Sequence, residues 1–267
     1  MMHSKTASQL LFALTMVAIG VIGLASGTFA PIFGGVPKSL PDRQLLAYLS
    51  TFVSLACGVG LVVKRTAGAA AFLLFAYFLL WTILFKVPFI IRQPLVEVSY
   101  QSCGETAVLT AGAWVLYASS ANGTTNGFFG LLRGNAGLRI AYLLYGLALI
   151  AFGLSHFAYL DLTAPLVPAW LRAPLFWAYL TGGIYLVTGI CLVAGFAARL
   201  AAVLSAVQIA LITLLVWGPM VFEGHMSAGQ LQETVVSWAL TAAAFVIAAS
   251  FDGRPWILRG DLGPATN

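Results

Sequence analysis

The sequence predicts an all-α membrane protein, with eight transmembrane helices arranged as two tandem four-helix bundles in parallel orientation. Three observations predict it. First, 61% of the 267 residues are hydrophobic and 8% are charged, with a mean hydropathy of +0.96. Soluble chains carry about 25% charged residues, so this composition suits hydrocarbon rather than water as its solvent. Second, several apolar runs reach the roughly 20 residues that a helix needs to cross about 30 Å of hydrocarbon. They lack the period-2 alternation and repeated short strands of an outer-membrane barrel. Third, the two halves of the chain repeat.

The expected spans are 8–28, 44–63, 66–85, 105–119, 138–157, 175–194, 197–217 and 230–250. The first follows Lys5 and ends near Ser26-Gly-Thr-Phe-Ala30, the outline of a signal peptide. Pro31 directly after the cleavage position disfavours cutting, and the run has a counterpart deep in the chain, so an uncleaved span is expected. A hairpin rich in Gly and Pro, 31–43, leads into the second span. Lys64-Arg65 makes a tight turn into the third, which Lys86-Val-Pro88 is expected to break. A polar stretch, 92–104, precedes the fourth. The segment Ser119-Ser-Ala-Asn-Gly-Thr-Thr-Asn-Gly127 has the composition of a linker. The expected units are therefore 1–120, a first four-helix membrane unit; 121–136, a cytoplasmic linker; 137–250, a second four-helix unit; and 251–267, a cytoplasmic tail.

Aligning Val36-Pro37 with Val167-Pro168 sets an offset of 131 that runs without a gap to Pro88 and Pro219. Along it Ala47-Tyr48-Leu49 meets Ala178-Tyr179-Leu180, Gly58 meets Gly189 and Thr82 meets Thr213. Gly23-Leu24 pairs with Gly153-Leu154 after a one-residue slip, and Glu105-Thr106 with Glu233-Thr234 after a shift of three. With four spans per half, the repeats point the same way, unlike the inverted repeats of many transporters. Positive residues are expected inside. One side collects Lys5, Lys64, Arg65, Arg133, Arg139, Arg199, Arg254 and Arg259 against Asp252 and Asp261. On the other, Lys38, Arg43, Lys86, Arg92 and Arg172 are balanced by Asp42, Glu97, Glu105, Asp161, Glu223 and Glu233. Both termini are thus expected in the cytoplasm, at a bacterial-type inner (plasma) membrane.

The net charge of +5 is spread singly between apolar runs, which argues against nucleic acid as a partner. Cys57, Cys103 and Cys191 are odd in number and form no Cys-x-x-Cys, so neither a disulfide framework nor a thiolate metal site is indicated. No phosphate loop, haem-attachment sequence, nucleophile elbow or pair of carboxylates within a span is present. Charge is not expected at depth, which argues against an ion pump or proton relay.

The candidate ligand-binding residues are His156, Trp170, Arg172, Gln208, Glu223, His225 and Glu233. His156 closes the fifth span and could bind a metal, exchange a proton or hydrogen-bond a quinone carbonyl; an interfacial residue capping its own helix is the plainer reading, and its counterpart is expected to be Ser26. Phe222-Glu223-Gly224-His225 and Glu233 are expected near His156 in a compact second bundle. They lack His-x-x-x-His or Glu-x-x-His spacing, so no metal site is expected. Gln208 lies in mid-span, with Tyr77 at the matching place, and needs an interhelical partner or a ligand. Trp170, Trp177, Trp217 and Trp256 fall where an aromatic belt is expected, with Arg172 beside it as an interfacial residue or a lure for an acidic headgroup. Small-residue spacings, such as Gly182-Gly183 and the alanines of 67–71 and 197–202, are read as helix-packing surfaces.

Gly153-Leu-Ser-His156-Phe157, Val167-Pro168-Ala-Trp170-Leu171, Trp177-x-Tyr179-Leu-Thr-Gly182, Thr188-Gly189-x-x-Leu192 and Ala198-Arg199-Leu-Ala-Ala resemble the DoxX-like membrane proteins. The resemblance covers about 141–217; the first half shares it only through the internal repeat and lacks the His-Phe and Trp. It implies a four-helix unit with a proline-tryptophan hairpin, and an association with membrane redox work. Two functions are carried forward. One is a quinone-linked or redox-associated membrane subunit with a redox-enzyme partner, quinone being the cofactor the resemblance implies. The other is a non-catalytic scaffold, chaperone or small-solute passage protein, motivated by the shortage of buried polar residues.

Overall fold

A computed structural model describes residues 2–120, 131–224 and 226–257. Among the described residues the protein is helical, with no strand. Its long helices are α1 (Met2–Ser26), α2 (Arg43–Val62), α3 (Ala67–Arg92), α4 (Glu97–Ser119), α5 (Gly134–Ala158), α6 (Pro174–Ala194), α7 (Ala198–Glu223) and α8 (Ala228–Ser250). Seven of them, all but α4, are long and apolar enough to cross a membrane. This makes the chain a multi-pass membrane protein.

The helix α4 is less apolar because protein rather than lipid surrounds it. Thr106, Val108, Leu109, Thr110, Ala111, Ala113 and Val115 are all within 1% of complete burial. A helix with such neighbours presents small and hydroxyl side chains to them, not the Leu and Ile that face lipid. It packs on α3, α5 and α8, while α8 packs on α1, α4 and α7. The fourth helix of each half therefore also packs on the first helix of the other, and the buried residues of both halves form one continuous core.

Helix boundaries repeat the sequence offset. The starts of α2 and α6, of α3 and α7, and both ends of α4 and α8 lie 131 positions apart. The shift of three expected for Glu105 and Glu233 is not needed: Ser102 corresponds to Glu233, and Glu105 to Val236. The symmetry passes through the α4–α8 contact, where Gly112 meets Ala243, its own counterpart; a Cβ on Gly112 would lie 2.9 Å from the Ala243 Cβ. Helices α1 and α5 follow an offset of 133 instead, judged by their contacts. Gly20 sits against Leu55 as Gly153 sits against Leu186, and Gly58 meets Ala13 and Val17 as Gly189 meets Gly146 and Ile150. Ser4 of α1 and Asp252 after α8 line one groove, so both ends of the described chain lie on one face.

The third span does not break at Lys86-Val-Pro88. It passes through a π-helical turn, Thr82–Lys86, and continues to Arg92. Pro88 has no N–H for the carbonyl of Leu84, and its ring would strike that carbonyl in a regular helix; one wide turn relieves both. The same turn recurs at Thr213–Trp217, before Pro219. The fifth helix also begins earlier than expected, at Gly134.

Replacing Gly112 with Leu should force α4 from α8 and lower stability by about 1–3 kcal/mol. A reduced melting temperature in detergent, with a smaller loss for Gly183→Leu, where a Cβ meets open space, is the expected outcome.

Candidate functional site

The wide turn of α3 ends on Lys86, whose side chain lies inside the protein and is only 4% exposed. Its Nζ donates to Ser102 Oγ of α4 at 2.8 Å. Gly34 and Gly35, in the loop after α1, lie over the lysine stem. Gly35 has φ +91, a conformation that glycine alone takes without strain. One turn further along α4, Glu105 stands within Coulombic reach of Lys86, and Glu233 of α8 within reach of Glu105. The Cys103 thiol also lies near the ammonium. Three helices thus bring one ammonium, two carboxylates and a hydroxyl under common cover. With all three ionised the cluster carries one excess negative charge, and a single proton on either carboxylate balances it.

Charge is therefore held inside the protein on a helix long and apolar enough to cross a membrane, contrary to the expectation from sequence. From the residues alone, Lys86 falls in the break after the third span and Glu105 at the start of the fourth. The signal that could have found them is the unbroken offset: extended through Pro88, it keeps Lys86 inside a helix, as it keeps Trp217 inside α7. Trp217 itself is 6% exposed and belongs to the core rather than to an aromatic belt. A second polar contact was also missed. Ser155 Oγ of α5 donates to Glu97 Oε1 at the start of α4, and Glu97 Oε2 is buried with no hydrogen-bond partner among the described residues. The Val98 N–H donates to the Tyr159 hydroxyl at 3.2 Å beside it.

His156 is half-buried at the end of α5. Its Nδ1–H donates to the Phe152 carbonyl at 2.9 Å, and its ring lies 5.3 Å from that of Tyr185 on α6. Its Cβ rests on Gly182, where a Cβ would lie 2.8 Å away. In the first half Thr51 occupies the place of Gly182, and the residue it meets is Gly23, whose Cβ would fall 2.2 Å from Thr51 Oγ1. The counterpart of His156 is therefore Gly23 rather than Ser26. Bulk sits on the first helix of one half and on the second helix of the other.

Gln208, 7% exposed, donates its Nε2 to the Thr181 carbonyl at 3.0 Å. The Tyr77 hydroxyl and Ser50 Oγ, 2.6 Å apart, occupy the matching places in the first half. Both pairs link the second and third helices of their halves. Glu233 faces Glu105 while His156 faces Tyr185, so the expected grouping of His156 with Glu223 and Glu233 is not formed among the described residues. Trp170, 66% exposed, and Arg172 lie on the hairpin, where the Arg172 carbonyl accepts from Trp177 Nε1 at 3.0 Å. Glu223 is exposed at the end of α7, and His225 lies outside the described residues. Among the described residues no group of three or more His, Cys, Asp or Glu side chains is placed to hold a metal ion. No family model, curated protein or solved structure matches the chain.

The size exchange between α5 and α6 yields a double-mutant cycle. Gly182→Thr alone should destabilise through overlap with His156, and His156→Gly alone through the cavity it leaves against Gly182 and Tyr185. Together they recreate the Gly23–Thr51 contact, and a coupling of about 0.5–3 kcal/mol in thermal unfolding is the expected outcome.

Proposed function

We propose that this integral membrane protein works as a DoxX-like, redox-associated subunit in which Lys86, Glu105 and Glu233 hand protons to quinone-linked electron transfer. The observation that carries this reading is Lys86 itself, a cation 4% exposed in a membrane-spanning helix and facing Glu105, which in turn faces Glu233. Ionisable groups within a membrane protein are costly, and their usual place is along a proton or ion path. Quinone reduction consumes protons, so a covered carboxylate pair poised beside an ammonium suits that work. His156, with Nδ1 engaged and Nε2 free of that bond, stands as the donor or acceptor toward a quinone carbonyl.

In this reading α4 is the eighth span, crossing within a sheath of other helices, and the halves form two like-oriented four-helix units. Both ends are cytoplasmic, since the face that holds them carries Lys5, Arg199 and Arg254. The charge cluster then lies toward the opposite side.

Membranes containing the protein and its redox partner test the proposal. Glu105→Gln should lower quinone-dependent electron transfer by about 10²-fold, within the range for loss of a proton-transfer group, and His156→Ala should lower it as well. Lys86→Met should destabilise the fold, because the carboxylates lose their counter-ion, and adding Glu105→Gln should restore the melting temperature. Unchanged electron transfer in Glu105→Gln, with the same stability coupling, would assign the cluster to a non-catalytic scaffold.

A further inference from the structure

On the face that holds both chain ends, α1 and α7 stand apart over α8 and leave a groove of about 410 Å³. Leu11 lines it from α1, Val203 and Ala206 from α7, Phe245 and Ala248 from α8, and Asp252 lies at its polar end. The equivalent place in the other half is solid. By the offset of 131, Val203 corresponds to Phe72, Ala206 to Phe75, Phe245 to Trp114 and Ala248 to Tyr117. Those four rings pack together, with centroids 4.9 Å apart for Phe72 and Tyr117 and 4.6 Å apart for Phe75 and Trp114. Trp114 Nε1 donates to the Leu132 carbonyl at 2.9 Å, and Arg133 lies over the Tyr117 ring, which fixes the cluster against the start of α5. One helical frame therefore occurs twice in the molecule, once filled by aromatic groups and once with three of the four rings missing.

Close packing loses its contacts wherever such a volume is left without apolar atoms. We infer that the groove seats the hydrocarbon tail of one membrane lipid, held in the volume that the rings occupy in the other half. The walls are apolar along the length that a tail would follow except at Ser8, whose hydroxyl is turned back to the Lys5 carbonyl. Ser4 and Asp252, at the chain-end side, mark the level of a headgroup. A tail reaches the groove sideways from the bilayer, between α1 and α7, and leaves its head beside Asp252. The occupant is a phospholipid acyl chain, whose polar headgroup follows the tail at the Ser4 and Asp252 end of the groove.

Native mass spectrometry of the full chain released in mild detergent tests the inference, comparing wild type with Ala206→Phe/Ala248→Tyr, which returns two of the three missing rings. Wild type should retain one adduct per chain, with the mass of a phospholipid, and the double variant should lose it; an adduct with the mass of an isoprenoid quinone overturns this assignment. Equal retention by both proteins, or no adduct on wild type, overturns the proposal. If the double variant does not accumulate, the single Ala248→Tyr variant is read in the same way, with at least a tenfold lower adduct fraction expected.

Discussion

Two helices that meet almost without side chains hold this protein together. At Gly112 and Ala243 the backbones of α4 and α8 approach until a single added carbon would collide. Lipid tails are as apolar as leucine, so helices in a bilayer gain little by hiding leucine from them, and close contact has to supply the cohesion. Once α4 and α8 touch, α1, α3, α5 and α7 can pack around them, with α2 and α6 outside, and α4 no longer needs a lipid-facing surface. Its threonines, glycines and carboxylates are tolerable because protein, not hydrocarbon, lies on the other side. Glu105 depends on that contact for the neighbour that α8 supplies, Glu233, while Lys86 is covered by Ser102 of α4 and the Gly34-Gly35 loop.

Much of this was legible from the residues. Composition gave the solvent, and the apolar runs gave seven helices near their observed places. The unbroken offset from Val36 to Pro88 anticipated matching helix starts and the matching places of Tyr77 and Gln208, whose partners Ser50 and Thr181 the structure supplies. What failed did so for identifiable reasons. A proline after a lysine reads as the end of a helix, because sequence periodicity assumes regular turns and carries no sign of a wide one. Trp217 was assigned to an interface for the same reason. The partner of His156 was misplaced because glycine and leucine matches slide easily in so apolar a chain, whereas the packing of Gly58 and Gly189 fixes the register of the helix opposite. The charge cluster was invisible because its members lie on three helices, distant in the chain.

The departures from internal symmetry are more informative than its persistence. Features present in both halves, such as the wide turns and the glycine contacts between first and second helices, serve the frame. Lys86 against Trp217, Glu105 against Val236 and His156 against Gly23 are changes of chemistry on a common backbone. Each falls where neighbouring helices already provide cover, so the frame accepted them with local exchanges of size such as that between Thr51 and Gly182. A duplicated scaffold in this sense separates holding from doing: either half can change while the other keeps the geometry.

The contact between α1 and α8 also joins the beginning of the chain to its end, and the Trp238 indole donates to Thr15 Oγ1 at 3.1 Å across nearly the whole sequence. On the ribosome, α1 emerges well before α8, one of the two helices it packs against. The buried face of α1, with Phe12, Ala13 and Met16 fully covered in the finished molecule, has only part of its partner surface until translation is almost complete. Biogenesis must therefore keep the opening helix inserted and unaggregated for the whole time of synthesis, and a nascent chain stopped short of α8 leaves that seam open to the cell's membrane quality control.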